Sequence, residues 1–267
     1  MEKKTRAQYA REGAIERFDV EVLEKDLPER YVRMKNPLVR AAHNLTLPEM
    51  RLIKIGLSKV NSRKVYRIGD MPMSRVTAAE YAEIAECDMS TAYQALQDAA
   101  KHLFDRKITM YTAAHNRKGQ PIKSIRTDMR WVGEARYHEG EGWVELHWWH
   151  RIIEFISGIE RHFTEYQLSQ AVALRSVYSW RLLELVLAKF EDTGWAEYTI
   201  EDFCMAMEAT EKQSSDFAKI RTKIIEPAVK ELTEKGDWLI DWKPIKAGRR
   251  VAKVRFEFKR NPQGRLL

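Results

Sequence analysis

Apolar residues recur along the chain at helix and strand periods, and they predict the same order of elements twice. In the first half, Thr46 and Pro48 mark the start of an amphipathic helix, since threonine suits the cap and proline the first turn. The elements predicted here are a helix at 47–57, a strand at 65–68, helices at 77–86 and 90–103 (the latter capped by Ser90), and strands at 108–112, 122–132 and 143–148.

The second half repeats this order. The elements predicted there are a helix at 176–190, a strand at 198–200, a helix at 201–207, a polar turn at 208–213, a long helix from a cap at Ser214 or Ser215 to Gly236, and strands at 238–242 and 251–258. Trp180, Leu183, Val186 and Leu187 are predicted to face the core. Pro227 removes one backbone hydrogen bond from the long helix, so we expect a kink or a break there.

Each half has the layout of a winged helix, which is helix, short turn, helix and β-hairpin. We interpret the basic turn at 115–121 as the first wing, with strand 143–148 in the same sheet, and the turn at 244–250 as the second wing. The sequence therefore predicts an α+β fold with two tandem winged-helix domains in a pseudo-two-fold arrangement. We assign them to residues 31–157 and 158–267, after a flexible charged arm at 1–30.

The net charge of +7 is unevenly distributed. Residues 101–136 carry +6 and residues 243–267 carry +8, so the rest of the chain carries −7. Positive charge concentrated on an acidic scaffold is typical of nucleic-acid binding. The alternative is that both segments are solvated hairpin faces and a frayed tail.

The two predicted recognition helices differ in character. A helix that reads bases carries polar or basic side chains near its N-terminus, and arginine can grip guanine with two hydrogen bonds. In the second domain we assign DNA contacts to Lys219, Arg221, Thr222 and Lys223 on the helix and to Lys246, Arg249, Arg250 and Lys253 in the wing. In the first domain we assign them to Ser90, Thr91, Tyr93, Gln94 and Gln97 on the helix and to Arg117, Lys118 and Lys123 in the wing, with Lys101, Arg106 and Lys107 as further phosphate contacts. The alternative for each helix is a polar face that only meets water.

No catalytic motif is present in the sequence. Phosphate-binding G-x-x-x-x-G-K-[ST], G-x-S-x-G and H-E-x-x-H are all missing. His147 and His150 have the wrong spacing for the metal pair of a nicking enzyme, and we expect them to pack or to lie on the surface. We therefore expect a protein without enzyme activity, cofactor or metal.

Cysteine content and hydropathy bear on location. Cys87 and Cys204 are far apart and are interpreted as ordinary buried thiols. No stretch approaches the length of an apolar membrane span, and the N-terminus lacks an apolar signal core, so we expect a soluble, cytoplasmic protein with no membrane partner.

Four segments resemble the initiators of iteron-bearing, theta-replicating bacterial plasmids, the RepE, RepA and Pi type. The first is Asn44–Leu52 (NLTLPEMRL), which is similar to the family's first helix, and the second is Tyr81–Leu103, which is similar to its first helix-turn-helix. The third is Ser176–Leu185 (SVYSWRLLEL), with Leu183 where the family usually has tyrosine. The fourth is Phe217–Leu232, which is similar to the second recognition helix, where Pro-Ala is frequent.

This resemblance implies properties that the residues alone do not. Family members bind tandem iterons as monomers, start replication with a host initiator and helicase, and repress their own gene as dimers on an inverted repeat. The first domain supplies the dimer interface, and host chaperones shift dimer to monomer. The resemblance implies base reading by Lys219, Arg221, Thr222 and Lys223, and by the first-domain helix at Ser90, Thr91, Tyr93 and Gln94.

Two other functions remain open at this point. A plain winged-helix transcriptional regulator would carry the same charged segments. The bound DNA would distinguish the two functions, since a regulator would bind inverted repeats and an initiator direct repeats. A DNA-nicking enzyme would need a carboxylate or histidine cluster that the sequence does not show.

Overall fold

The computed structural model describes residues 25–67, 69, 72–138, 140–172 and 174–262. Most of the arm predicted at 1–30 lies outside the described residues. Its last part forms a 3₁₀ turn, Leu27–Glu29, in which Leu27 is buried. The backbone carbonyl of Arg30 accepts a hydrogen bond from the Leu168 amide, which ties this turn to the body of the protein.

The first unit is a winged helix with β1 and α1 on its N-terminal side and α5 and β7 on its C-terminal side. Its elements in chain order are β1 (Tyr31–Lys35), α1 (Asn36–Arg40), α2 (Leu47–Ser58), β2 (Met73–Thr77), α3 (Ala78–Ala85), α4 (Met89–Leu103), β3 (Lys107–His115), β4 (Pro121–Arg130), β5 (Val132–His138), β6 (Trp143–Trp148), α5 (His150–Ile156) and β7 (Phe163–Gln167). Strands β2, β6 and β5 form an antiparallel sheet in that order.

The second winged helix follows a 3₁₀ turn at Leu168–Ala171. Its elements are α6 (Val177–Leu182, continued by a π-helical segment at Leu183–Ala188), β8 (Trp195–Thr199), α7 (Ile200–Ala206), α8 (Glu211–Ser214), α9 (Phe217–Ile220, followed by a π-helical segment at Arg221–Ile225), α10 (Glu226–Lys235), β9 (Trp238–Ala247) and β10 (Arg250–Arg260). Its sheet has the order β8-β10-β9, which matches β2-β6-β5 in the first unit. The predicted α+β fold with two winged helices is confirmed.

Strands β1 and β7 pair antiparallel, with Tyr31 opposite Gln167. This pairing joins the start of the first unit to residues that follow position 157. The domain boundary that we expect at 157/158 stays a prediction, and the β1–β7 ladder crosses it.

The predicted first wing is wrong in its topology. The turn at 115–121 joins β3 and β4, which form a separate two-stranded sheet inserted after α4. Strand β6 pairs with β5 and β2 instead, so the hairpin of the first winged helix is β5–β6, with its turn between His138 and Trp143. The prediction failed because residues 122–132 were taken as one strand, whereas β4 ends at Arg130 and β5 begins at Val132.

The strand predicted at 65–68 also needs correction. Residues 65–67 form no strand, because the carbonyls of Ser62 and Lys64 accept from the amides of Ile159 and Gly158, and Met73–Thr77 takes the place beside β6. Ile68 lies outside the described residues.

The predicted caps shift to aspartates. Asp88, and not Ser90, caps α4, because its carboxylate accepts from the Thr91 amide at 2.9 Å. Asp216, and not Ser214 or Ser215, caps α9 by accepting from the Ala218 amide. At Pro227 the helix continues through the π-helical segment without a break.

Helix α6 lies at the centre of the molecule. All described side chains from Ser179 to Leu187 are buried, so this helix has no solvent face over that stretch. An all-round buried helix must pack against neighbours on every side. Two of its buried residues are charged, Arg181 and Glu184, and each needs partners in the core.

Glu184 is the acceptor for two elements of the first unit. Its carboxylate lies 2.6 Å from Nζ of Lys54 on α2 and accepts from the hydroxyl of Tyr166 on β7 at 2.7 Å. The same hydroxyl accepts from the Trp180 indole at 2.8 Å. Burial lowers the pKa of Lys54, while the Glu184 carboxylate acts in the opposite direction. Burial also raises the pKa of Tyr166 well above its usual value, so the hydroxyl keeps its proton.

Arg181 joins the two units through backbone and side-chain acceptors. It donates to the carbonyls of Ala206 at the end of α7 and Ala41 after α1, and it pairs with Glu208 at 3.3 Å. Its Nη1 also lies 3.2 Å from Nδ1 of His43, whose Nε2 lies 2.7 Å from a carbonyl. Burial and the positive charge of Arg181 hold the pKa of His43 well below its usual range, so the ring is neutral and accepts from Arg181.

We expect Tyr166→Phe to lower the free energy of unfolding by roughly 1.5–3 kcal/mol, because it removes a hydrogen bond to a buried carboxylate and leaves the Trp180 N–H unpaired. Tyr178→Phe is the matched control, because its hydroxyl donates to neutral Gln213 in a partly buried position. It should cost about 1 kcal/mol or less. Urea denaturation of both variants measures the difference, and equal losses would contradict a central role for this network.

Candidate DNA interface

The second recognition helix, α9–α10, presents a basic face to solvent. Lys219, Arg221, Thr222 and Lys223 are all exposed, while Ile220, Ile224 and Ile225 are buried. Lys219 donates to the Ser215 hydroxyl, Thr222 to the Ala218 carbonyl, and Arg221 lies 3.4 Å from Glu226. The four predicted residues therefore all lie on the solvent-exposed part of the helix.

The second wing keeps its free positive charge at its tip. Strands β9 and β10 join through a two-residue turn, Gly248-Arg249, with Ala247 opposite Arg250 and a left-handed φ of 62° at Gly248. This conformation suits glycine in a two-residue hairpin turn. Among the described residues, Lys246, Arg249 and Arg250 form no ion pair and all three are exposed.

Lower in the same hairpin four basic residues are paired with acids, while Lys259 is exposed. Lys253 binds Glu197 on β8 at 2.8 Å, and Arg260 binds Glu191 at 2.7 Å. Lys243 and Arg255 both bind Glu257, and these bonds hold the pKa of Glu257 below its usual value. The cations at the tip are therefore free of acidic partners among the described residues, whereas Lys253 lies below the tip and is paired.

The helix and the wing of the second unit are held next to each other. The Phe217 ring at the start of α9 lies 6.4 Å from the Trp242 ring on β9. Both rings are partly buried against the core. This contact fixes the basic helix face relative to the basic hairpin, which is the arrangement needed to contact bases and adjacent phosphates together.

The first recognition helix, α4, is more neutral. Ser90, Thr91, Tyr93 and Gln94 are exposed and Gln97 is half-buried. Thr91 donates its amide and its hydroxyl to the Asp88 carboxylate, and these hydrogen bonds lower the pKa of Asp88. Gln94 donates to Asp98 at 3.0 Å.

Two of the further phosphate contacts predicted near α4 are already close to acidic side chains. Arg106, just after α4, donates to Glu49 on α2 at 2.8 Å, so it links these two helices. Lys101 lies 4.0 Å from Asp98. The α4 face therefore offers less free positive charge than α9–α10.

The true first wing was missed from the sequence. Its turn holds Gly140, Glu141 and Gly142 between two alternating strands, and that glycine pair was the available signal. Gly142 has a φ of 65°, and a methyl group at this position would overlap the Tyr93 ring. Tyr93 thus packs its ring on the wing backbone, which couples α4 to β5–β6.

The predicted wing residues Arg117, Lys118 and Lys123 lie instead on the β3–β4 ribbon. All three are exposed. The turn is ordered by Asn116, whose side-chain oxygen accepts from the amides of Lys118 and Gln120. These cations lie in a different sheet from the β5–β6 wing, so the structure does not group them with α4 as a winged helix would.

No metal centre emerges from the part of the chain that the structure describes, where no cluster of three His, Cys, Asp or Glu side chains could hold an ion. His147 lies on β6 with Nε2 3.9 Å from Glu145, and His150 opens α5 with its ring 4.3 Å from that of Trp149. Cys87 and Cys204 are both free thiols; Cys204 is buried and Cys87 half-buried. Within the described residues, every helix is too short or too polar to cross a bilayer.

Comparison with known families decides the identity. A family model described as "Initiator Replication protein, WH1" matches residues 31–187, and one described as "Initiator Rep protein, WH2" matches residues 199–258. The chain belongs to this family. The first match covers the first winged helix and extends through α6, and the second match covers α7 through most of β10.

Individual relatives of the initiator are distant. An uncharacterised 27.6 kDa protein of Escherichia coli is 24% identical over 212 residues, which is 76% of this chain and 85% of that protein. The Pi initiator protein, solved in complex with iteron DNA, has a TM-score of 0.71 at 21% identity and covers 88% of this chain and 99% of its own. At that identity the likeness establishes the fold. The WH1 domain of a replication protein isolated from a multiple sclerosis patient is 29% identical, covers 39% of this chain and 73% of its own, and has a TM-score of 0.29.

We expect Gly142→Ala to destabilise the initiator by roughly 1–3 kcal/mol more than Gly140→Ala, because the added methyl must displace the Tyr93 ring. Gly140 is the matched control, since its φ is also positive at 87° but a Cβ there meets nothing within 4 Å. Thermal unfolding of both variants gives the difference. Equal melting temperatures would show that Tyr93 does not pack on the wing.

Proposed function

We propose that this initiator binds tandem iteron repeats in a plasmid origin as a monomer and represses its own gene as a dimer. The observation that carries the proposal is the pairing of a basic recognition helix with a wing whose tip cations have no acidic partner among the described residues. The Pi initiator protein, which shares this fold, is described in complex with iteron DNA, and this supports the same partner here.

The electrostatics support double-stranded DNA as the ligand. Phosphate contacts provide affinity that is independent of sequence, and base-edge contacts provide specificity. Phosphate contacts can come from Lys246, Arg249 and Arg250 at the wing tip. Base-edge contacts can come from Arg221 on the helix, because its guanidinium can donate two hydrogen bonds to one guanine. Lys219, Thr222 and Lys223 would complete the reading face, and Lys253 would contribute less because Glu197 already holds it.

In this proposal the two domains share the DNA unequally. Residues 158–267 read most of the site, and residues 31–157 contribute α4 and self-association. Side chains on α4 that are already bonded to Asp88 and Asp98 gain less from contact with DNA. Arg117, Lys118 and Lys123 would contact phosphate outside the winged helix proper.

The β3–β4 ribbon supports self-association of the first domain. Within the described residues β4 pairs only with β3, so its other backbone edge is unpaired. On this ribbon, Tyr111 of β3 and Ile122 and Ile125 of β4 expose more than half of their surface. A long unpaired edge with apolar side chains is a template for a second strand, and a second copy of this chain is the occupant that we propose.

The proposal involves binding without chemistry, so we expect no enzyme activity, cofactor or metal. A host initiator, a helicase and chaperones are expected partners on the strength of the family resemblance. A plain transcriptional regulator is the second candidate, because its fold and charge would be the same.

DNase protection over a cognate plasmid origin separates these functions. We expect several protected segments at regular spacing in the same orientation, since each monomer would cover one direct repeat. Protection of a single inverted repeat alone would favour the regulator. Cleavage of supercoiled plasmid that depends on a divalent metal would instead revive a nicking enzyme.

We expect Arg221→Ala to weaken binding to the protected repeat by roughly 1–3 kcal/mol, as for the loss of one base contact. Lys230→Ala is the matched control, because Lys230 is an exposed cation further along the same helix, 3.8 Å from Glu234. Fluorescence anisotropy against salt measures both variants, and affinity should fall steeply with salt as phosphates are neutralised. An unchanged site preference in Arg221→Ala would remove this residue from the reading face.

A further inference from the structure

The second recognition helix contains one widened turn. In the segment Arg221–Ile225 the amide of Glu226 donates to the carbonyl of Arg221, five residues back instead of four. The sequence supplies a cause at Pro227. Proline has no N–H for the Lys223 carbonyl, and in a regular α-helix its ring would clash with that carbonyl, so the backbone opens there.

The widened turn brings together two side chains that a regular helix would separate. Nε of Arg221 lies 3.4 Å from Oε1 of Glu226, and both side chains are half exposed. At 3.6 residues per turn, residues five apart are separated by about 140° around the helix axis. The Arg221–Glu226 contact is therefore a product of the π-helical geometry.

This contact involves the residue best suited to read guanine. Across the described residues, no carboxylate other than that of Glu226 is ion-paired with Lys219, Arg221 or Lys223. Lys219 is bonded to a serine hydroxyl and Thr222 to a backbone carbonyl, neither of which carries charge. Among the residues that the structure describes, Arg221 is thus the one cation of the reading face that is held by an acid.

We propose that Glu226 and Pro227 are specificity-determining positioning residues of the DNA site. Pro227 widens the turn, and Glu226 holds the Arg221 guanidinium in place and repels phosphate until a base edge replaces the carboxylate. An exposed ion pair is weak, whereas a two-pronged contact with guanine is stronger, so the correct site displaces Glu226 more readily than random DNA does. This inference rests on the proposed function.

The test measures binding of the full chain to two duplexes, one carrying the footprinted repeat and one with the same bases scrambled. Glu226→Gln should strengthen binding to the scrambled duplex by about 3–10-fold, because a charge that repels phosphate is removed. The ratio of specific to scrambled affinity should fall by a similar factor. Glu234→Gln is the matched control, because it neutralises an exposed acid on the same helix that pairs with Lys230. It should leave the ratio within about twofold.

A second variant tests the widened turn itself. Pro227→Ala restores a backbone N–H and should raise the melting temperature, since alanine favours a helix interior far more than proline does. It should also lower affinity for the specific duplex by at least about fivefold, because Arg221 is moved relative to the base edge.

The outcomes separate the inference from the function on which it rests. A stabilised Pro227→Ala with an unchanged affinity ratio would reduce Pro227 to a structural residue. Equal ratios for Glu226→Gln and Glu234→Gln would overturn the role of Glu226. If the unaltered chain binds both duplexes equally, the proposed function itself fails.

Discussion

The rest of the structure depends on two buried charges of helix α6, Arg181 and Glu184. Removing ions from water costs several kcal/mol each, so the fold must supply compensating partners. Those partners come from both units, with Lys54, Tyr166 and His43 on one side and Ala206 and Glu208 on the other. Because loss of any one partner leaves a buried charge short of a bond, the network specifies how the two winged helices are joined.

A second connection reinforces this joint. Arg175, just before α6, donates to the carbonyl of Ala85 at the end of α3, while its own amide donates to Glu231 on α10. One residue thus touches a helix of each reading module. The relative position of α4 and α9–α10 is therefore set by polar contacts of specific geometry as well as by the shared apolar core.

Periodicity in the sequence was enough to predict most helices and the second wing, because those elements have clear apolar spacing and a glycine at the turn. It failed at the first wing, where β4 and β5 follow each other with only Trp131 between them and look like one long strand. Charge then misled the assignment, since residues 115–121 are basic while the true turn carries Glu141. The motif at 176–185 was identified by resemblance, but the partners of Arg181 and Glu184 lie up to 142 residues away and no local pattern reports them.

The unequal charge of the two reading helices follows from local bonding as much as from composition. On α4, side chains that could reach bases are bonded to Asp88 and Asp98. On α9–α10, the acid that caps the helix, Asp216, bonds a backbone amide, and within the described residues no carboxylate is paired with Lys219 or Lys223. The site is therefore better supplied with available cations in its second half.

The shared helix α6 also bears on how such proteins can diversify. It is the first helix of the second winged helix by topology, yet it falls within the family match of the first. A recombination event that exchanged one winged helix between distant relatives would separate Arg181 and Glu184 from half of their partners. The two winged helices are therefore inherited together, because they share buried partners in the core. Substitutions are tolerated best on the exposed helix faces and hairpin tips, where the DNA sequence that the protein recognises can change one residue at a time.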